Sequence, residues 1–229
     1  MAIGQILIIY GGDLVELSEE IIVEMTKDSI ELSSEYLDIA LGAFLEDTKL
    51  EKIPIVGTLV KIHSITKNVK SAFFLKKLTH FLIYMKDISY FDRVKFLNKY
   101  MENADCTQQE IGEKLLLTID MLDEFAKVKY YVNFIKMYAL KDEIDYNTFM
   151  RLCYILEKIF ICDLDVFKSM DVESLKRGGI WHDGVLTMSL SNLGLVMWDV
   201  RLSRSYHSDD GLRITPIGEV FHEGLTWAE

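Results

Sequence analysis

Only two prolines, Pro54 and Pro216, occur in 229 residues, so no proline interrupts the chain between them. Proline ends helices because it lacks an amide donor and its ring clashes with the preceding turn. Glycine is also sparse, with 13 in the whole chain. Half the residues are hydrophobic and 11% are aromatic, enough for a sizeable core. A chain so poor in helix breakers is expected to fold as long helices around that core. The expected fold class is mainly α, a multi-helix bundle followed by a small α+β tail.

Apolar spacing supports this reading along most of the chain. Residues 14–47 read as acidic amphipathic helix in two pieces, with Leu14, Leu17, Ile21 and Met25 on one stripe and Leu37, Leu41, Phe44 and Leu45 on another. Lys52 to Lys86 comes next and carries seven lysines and no acid. Pro54 suits a first helical turn, and Ile55, Leu59, Ile62, Val69 and Phe73 then share a face. Phe74, Leu78, Phe81 and Met85 predict a second helix there, with Leu75 and Leu82 beside them.

Ser89 with Asp92, and Thr107 with Glu110, have capping-box spacing and predict helices over about 90–102 and 108–123. Another helix covers EFAKVKYYVNFIKMYAL. Asp145 is placed to cap YNTFMRLCYILEKIFI, in which Phe149, Leu152, Ile155 and Ile159 align. Residues 1–167 are expected to form the bundle, and 168–229 a separate domain.

The tail differs in character. Gly194 suits a helix C-terminus, LVMWDVRL has strand composition, SRSYHSDDG is turn-rich, LRIT can return as a strand, and PIGEVFHEGL closes as a short helix. With Leu193-Gly194-Leu195 and Thr215-Pro216-Ile217-Gly218 in their places, residues 170–226 resemble the end of a winged-helix domain. The resemblance implies a two-stranded wing and a role in contacting DNA or protein. Upstream, LEDTKLEKIPIVGTLVKI and FFLKKLTHFL resemble a group of uncharacterised bacterial helical proteins, some from mobile-element or phage-defence contexts. That resemblance implies a bacterial or phage origin and no chemistry.

Charge narrows the function. A net charge of -11 and a pI near 5.0 repel phosphate backbones, so nucleic-acid binding would need a local basic patch. A recognition helix would fall at residues 181–194, which hold no Lys or Arg. The DNA-regulator alternative rests on Ser189, Asn192, Arg201, Arg204 and Arg213, diluted by Asp199, Asp209 and Asp210. Packing or dimerisation is the preferred use of this domain.

All three tryptophans, Trp181, Trp198 and Trp227, lie in the tail, and tryptophan is enriched at interface hot spots. Trp198, Arg201, Arg204 and Tyr206 are therefore the expected interface with a protein partner or a second copy. A membrane-surface alternative uses Lys61, Lys67, Lys70, Lys76 and Lys77 of the basic segment. Its lysines surround the helix, however, and its apolar stripe has the width of a core face. No apolar run approaches the roughly 18 residues of a membrane span, and the N-terminus lacks the basic flank of a signal peptide.

Cys106, Cys153 and Cys162 are odd in number and form no CxxC pair, which fits a reducing cytoplasm. Phosphate-cradling loops, GxSxG, HExxH and clustered Cys/His ligands are absent. His182-Asp183 is an isolated dipeptide, and KDEIDYNTF lacks the alternating ligands and central glycine of a calcium loop. The chain is expected to be non-enzymatic, with no cofactor or metal.

Overall fold

The computed structural model describes Glu19 and residues 21–23, 69–178, 184–198 and 212–227. The chain divides into two compact units, Met1–Tyr146 and Asn147–Glu229. The division expected at 167/168 thus falls inside the second unit. The described residues are mainly helical, with one small two-stranded sheet.

The first unit contains α1 (Val69–Lys86), α2 (Tyr90–Ala104), α3 (Gln108–Met121) and α4 (Phe125–Leu140). Helix α4 packs against α1 and α2, and α3 packs on the same two helices. Val128, Phe134, Ile135 and Tyr138 of α4 are fully buried, as are Leu78, Phe81 and Met85 of α1 and Phe96 of α2. Helix α1 runs unbroken through Phe73 and Phe74, where the sequence predicts a change of helix. Ile21 is buried, as its stripe requires, while most of the predicted 14–47 helices lie outside the described residues.

The predicted N-caps at Ser89 and Thr107 form. The Ser89 hydroxyl accepts from the Asp92 amide. Thr107 and Glu110 close a full reciprocal box.

The C-terminal ends of α1, α3 and α4 are met by cations from elsewhere in the unit, while α2 ends in left-handed Asp105. The last turn of a helix leaves carbonyls without amide partners and carries partial negative charge. Lys77 of α1 donates to the carbonyls of Asp120, at 2.5 Å, and Leu122, at 2.8 Å, at the end of α3. Arg93 of α2 donates to Met85 and Ile88 at the end of α1. Lys99 reaches the carbonyls of Tyr138, Lys141 and Ile144 beyond α4, at 2.9–3.0 Å. Lys127 has no exposed surface and pairs with Asp123 at 2.5 Å.

The second unit holds α5 (Tyr146–Lys158, whose first residue belongs to the first unit), α6 (Ile161–Ser169), α7 (Val172–Arg177), α8 (Gly184–Asn192), β1 (Val196–Trp198), β2 (Leu212–Ile214) and α9 (Pro216–Thr226). Phe149, Leu152, Ile155 and Ile159 are all buried, as aligned in the sequence. The helix stops at Lys158 rather than continuing through Ile161, because Phe160 turns extended before α6.

The strands pair antiparallel in the register Val196↔Ile214, Met197↔Arg213 and Trp198↔Leu212. Helix α6 packs against α8 and α9, and α7 against β2. Leu164, Phe167, Leu190, Leu195 and Phe221 make the core of this unit.

Candidate interaction surface

The position of α8 and β1 is set by a junction between two short motifs. Helix α8 ends in a Schellman turn: Gly194 takes φ 74°, its amide donates to Ser191, and the Leu195 amide donates to Leu190, both at 2.9 Å. Leu190 and Leu195, the apolar pair that accompanies such a turn, are both fully buried.

Thr215 reads this turn from the other side. Its hydroxyl donates to the Gly194 carbonyl at 2.5 Å and accepts from the Gly218 amide at 3.0 Å, capping α9. Its own amide donates to the Leu195 carbonyl at 3.0 Å. A Cβ at position 218 would stand 2.1 Å from that same carbonyl, so only glycine lets α9 approach so closely. Leu193-Gly194-Leu195 and Thr215-Pro216-Ile217-Gly218 are two halves of one joint.

The elements on either side of this joint expose apolar side chains to solvent. Helix α8 turns Thr187 and Leu190 inward and Val185 and Met188 outward, 77% and 66% exposed. Ser189 donates to Asp163 of α6 at 2.5 Å, which ties the shoulder of α8 to its neighbour. Beyond the turn, β1 exposes Met197 at 52% and Trp198 at 49%. From Gly184 to Trp198 there is no ionisable side chain. Several large exposed apolar side chains within so short a stretch of chain make it a candidate interaction site.

A groove of about 490 Å³ lies between α7 and α9, lined by residues that include Val172, Lys176, Glu219 and His222. Lys176 bridges Glu173 and Glu219, each at 3.2 Å, and these bonds hold its ammonium above the usual range. His222 Nε2 bonds the Lys168 carbonyl at 3.1 Å, and burial holds its imidazole below the ordinary value.

Of the expected interface residues, Trp198 is exposed on β1, while Arg201, Arg204 and Tyr206 lie outside the described residues. Of the alternative DNA contacts, Ser189 is engaged by Asp163, and Asn192 and Arg213 are exposed. The exposed face of α8 carries Val185, Met188 and Asn192 and no cation.

The membrane alternative requires a correction at Lys77. Its side chain is buried and its ammonium is committed to two carbonyls, so it cannot meet a lipid surface. Burial lowers its pKa, against the opposing pull of Asp120 and Asp123. Lys76 lies over the Phe125 ring at 4.3 Å, and that ring stacks on Phe73 at 5.5 Å. Lys70 falls within α1, its side chain undescribed, and Lys61 and Lys67 lie outside the described residues. Among the described residues no helix is long and apolar enough to cross a membrane, and no group of three or more His, Cys, Asp or Glu could hold a metal ion. His182-Asp183 lies outside the described residues.

Val185, Met188 and Met197 were not among the expected interface residues. The signal was present in the helical spacing: Leu186 and Leu190 share a stripe four residues apart, and Val185 and Met188 stand off it.

Comparison with known proteins returns no match: no family model fits the chain, and no curated protein or solved structure is similar to it.

Proposed function

We propose that this protein is non-enzymatic and acts by protein association through the winged-helix-like part of its second unit. The observation that carries this reading is the set of large exposed apolar side chains, Val185, Met188, Met197 and Trp198, along a run that itself holds no charged residue. Water contact with such a face is unfavourable, and a protein partner removes it. Aromatic and methionine side chains are also the types enriched at the centre of interfaces.

DNA reading is disfavoured by the same face, because phosphate contact needs cations and the exposed side of α8 has none. The three cysteines are all free, which supports a reducing, cytoplasmic setting. The upstream sequence resemblance supports a bacterial or phage origin, with phage defence as its context.

The test compares the full-length protein with Trp198→Ala and Met197→Ala. Loss of partner binding, or a change of mass in solution by light scattering, is expected. If both variants keep every association of the parent protein, the reading fails.

A further inference from the structure

We propose that Lys99 is a latch on residues 141–145, the segment that leads from α4 into α5: its ammonium holds this segment shut on the first unit, and without it the segment opens while α2 and α4 stay folded. All the groups involved belong to the first unit, and the association reading above does not enter.

The segment has little of its own to hold it. Among its side chains only that of Ile144 is buried, and Asp142, Glu143 and Asp145 are exposed. Its turn is closed by the Ile144 amide, which donates to the Lys141 carbonyl at a long 3.3 Å. Asp142, Glu143 and Asp145 lie so close in sequence that their charges repel one another. The Lys95–Asp142 pair offers little against this, since its ions stand 3.9 Å apart and are 38% and 92% exposed.

Lys99 supplies what is missing. An ammonium has three N–H donors. Lys99 donates to three carbonyls, that of Tyr138 at 2.9 Å and those of Lys141 and Ile144 at 3.0 Å. These carbonyls run from the last turn of α4 almost to the start of α5, so one cation spans the segment. The donor is itself held in place. Its ammonium lies over the Tyr138 ring at 4.5 Å, the Tyr138 hydroxyl donates back to the Lys99 carbonyl at 3.1 Å, and Asn103 donates to that carbonyl at 2.7 Å.

The opening is local because α2 grips both flanks through aromatic contacts. Phe96 meets Tyr138 edge-on with 6.0 Å between ring centroids, and Tyr100 meets Tyr146 the same way at 5.2 Å. Neither contact uses the ammonium. Loss of the latch therefore frees the chain between two fixed points and leaves α4 packed. A single amine thus sets whether residues 141–145 belong to the body of the first unit or form a loose connection to the second.

The experiment is amide hydrogen exchange in the full-length protein, read at Lys141 and Ile144 and, for reference, at Val128 and Phe134 inside α4. In Lys99→Met the first two are expected to exchange about tenfold faster or more. Low urea should leave those two rates unchanged, because a local opening exposes little surface, while it speeds exchange at Val128 and Phe134. Lys77→Met strips carbonyls at the end of α3 instead, so it should leave Lys141 and Ile144 at the parent rate. Lys95→Met should do the same.

Unchanged exchange at Lys141 and Ile144 in Lys99→Met overturns the latch. Exchange there at the rate and urea dependence of Val128 and Phe134, or an unfolded variant, makes Lys99 a prop for the whole unit and overturns it too. A segment that opens as readily in Lys77→Met merely follows the stability of the bundle. If Lys95→Met loosens it as much as Lys99→Met, charge and not the three bonds holds the segment. Either result also refutes the latch.

Discussion

The first unit turns some of its lysines inward; among the described residues the second buries none. Lys77 and Lys127 are buried, and Lys77 and Lys99 donate to carbonyls at the ends of neighbouring helices. Lys158 and Lys176 of the second unit keep 48% and 40% of their side chains exposed and pair with glutamates, Glu157 for the first and Glu173 and Glu219 for the second. The contrast follows from how each unit closes its helix ends. The first ends α2 at left-handed Asp105 but also uses long side chains, of which Lys77 and Lys99 come from some forty residues away in sequence. The second uses local backbone devices: left-handed Gly178 and Gly194, and the Thr215 cap. A unit closed locally needs no buried cation, and its stretch from Gly184 to Trp198 holds no charged residue.

The two units can be followed separately, because all three tryptophans lie beyond residue 146. Tryptophan fluorescence reports on the second unit, and far-ultraviolet circular dichroism on both. The largest effect is expected from Gly218→Ala, whose new methyl collides with the Leu195 carbonyl. It should cost about 3 kcal/mol or more and shift the fluorescence transition in denaturant. An unchanged fluorescence midpoint would mean the joint does not hold α9.

Lys77→Met comes next. It leaves the Asp120 and Leu122 carbonyls without their donor, at a cost of about 1–3 kcal/mol. That loss should appear in circular dichroism while the tryptophan signal stays in place. A shift in both signals would break the division into separately reporting units.

Matched threonine caps sharpen the comparison further. Thr107→Ala removes the cap together with the exposed hydroxyl–Glu110 bond of the same box, and should cost about 1 kcal/mol. Thr215→Ala also removes the hydroxyl's bond to Gly194, so about 2 kcal/mol is expected there. Equal losses by denaturant titration would mean that the joint adds nothing to the cap.

The smallest effect is that of pH. His80 in the first unit and His222 in the second are both held below the ordinary histidine value, chiefly by burial, with Lys76 adding to the effect at His80. Between the lowered folded value and about 6.5, the unfolded chain binds more protons than the folded one. Stability is therefore expected to fall as pH drops through that window. His222→Gln should flatten the fluorescence-detected dependence, and His80→Gln the remainder seen by circular dichroism. A midpoint that rises on acidification would reverse the sign and remove burial as the cause.

The sequence revealed what is local. Ser89 and Thr107 announce their helices because the cap and its partner lie three residues apart. The tail elements were legible for the same reason, through Gly194, Thr215 and Pro216. The break at Phe160 was not legible, because the apolar run from Ile159 to Ile161 contains no glycine or proline to mark it. Lys77 was misread because its partners are far away in sequence, and a lysine beside a lysine reads as a solvated face.

The face of α8 was hidden by residue type. Thr187 is 1% exposed and Val185 77%, the reverse of what polarity suggests, so only the phase of the helix separates core from surface.

The inward lysines also give the first unit a chemical clock. An amine-reactive reagent modifies lysines it can reach, and in the folded protein the ammonium groups of Lys77 and Lys127 are shielded by the helices around them. Their modification must wait for the bundle to open, so their labelling rate tracks opening events that leave the average fold unchanged. The exposed Lys158 and Lys176 react throughout and serve as the internal reference for reagent strength.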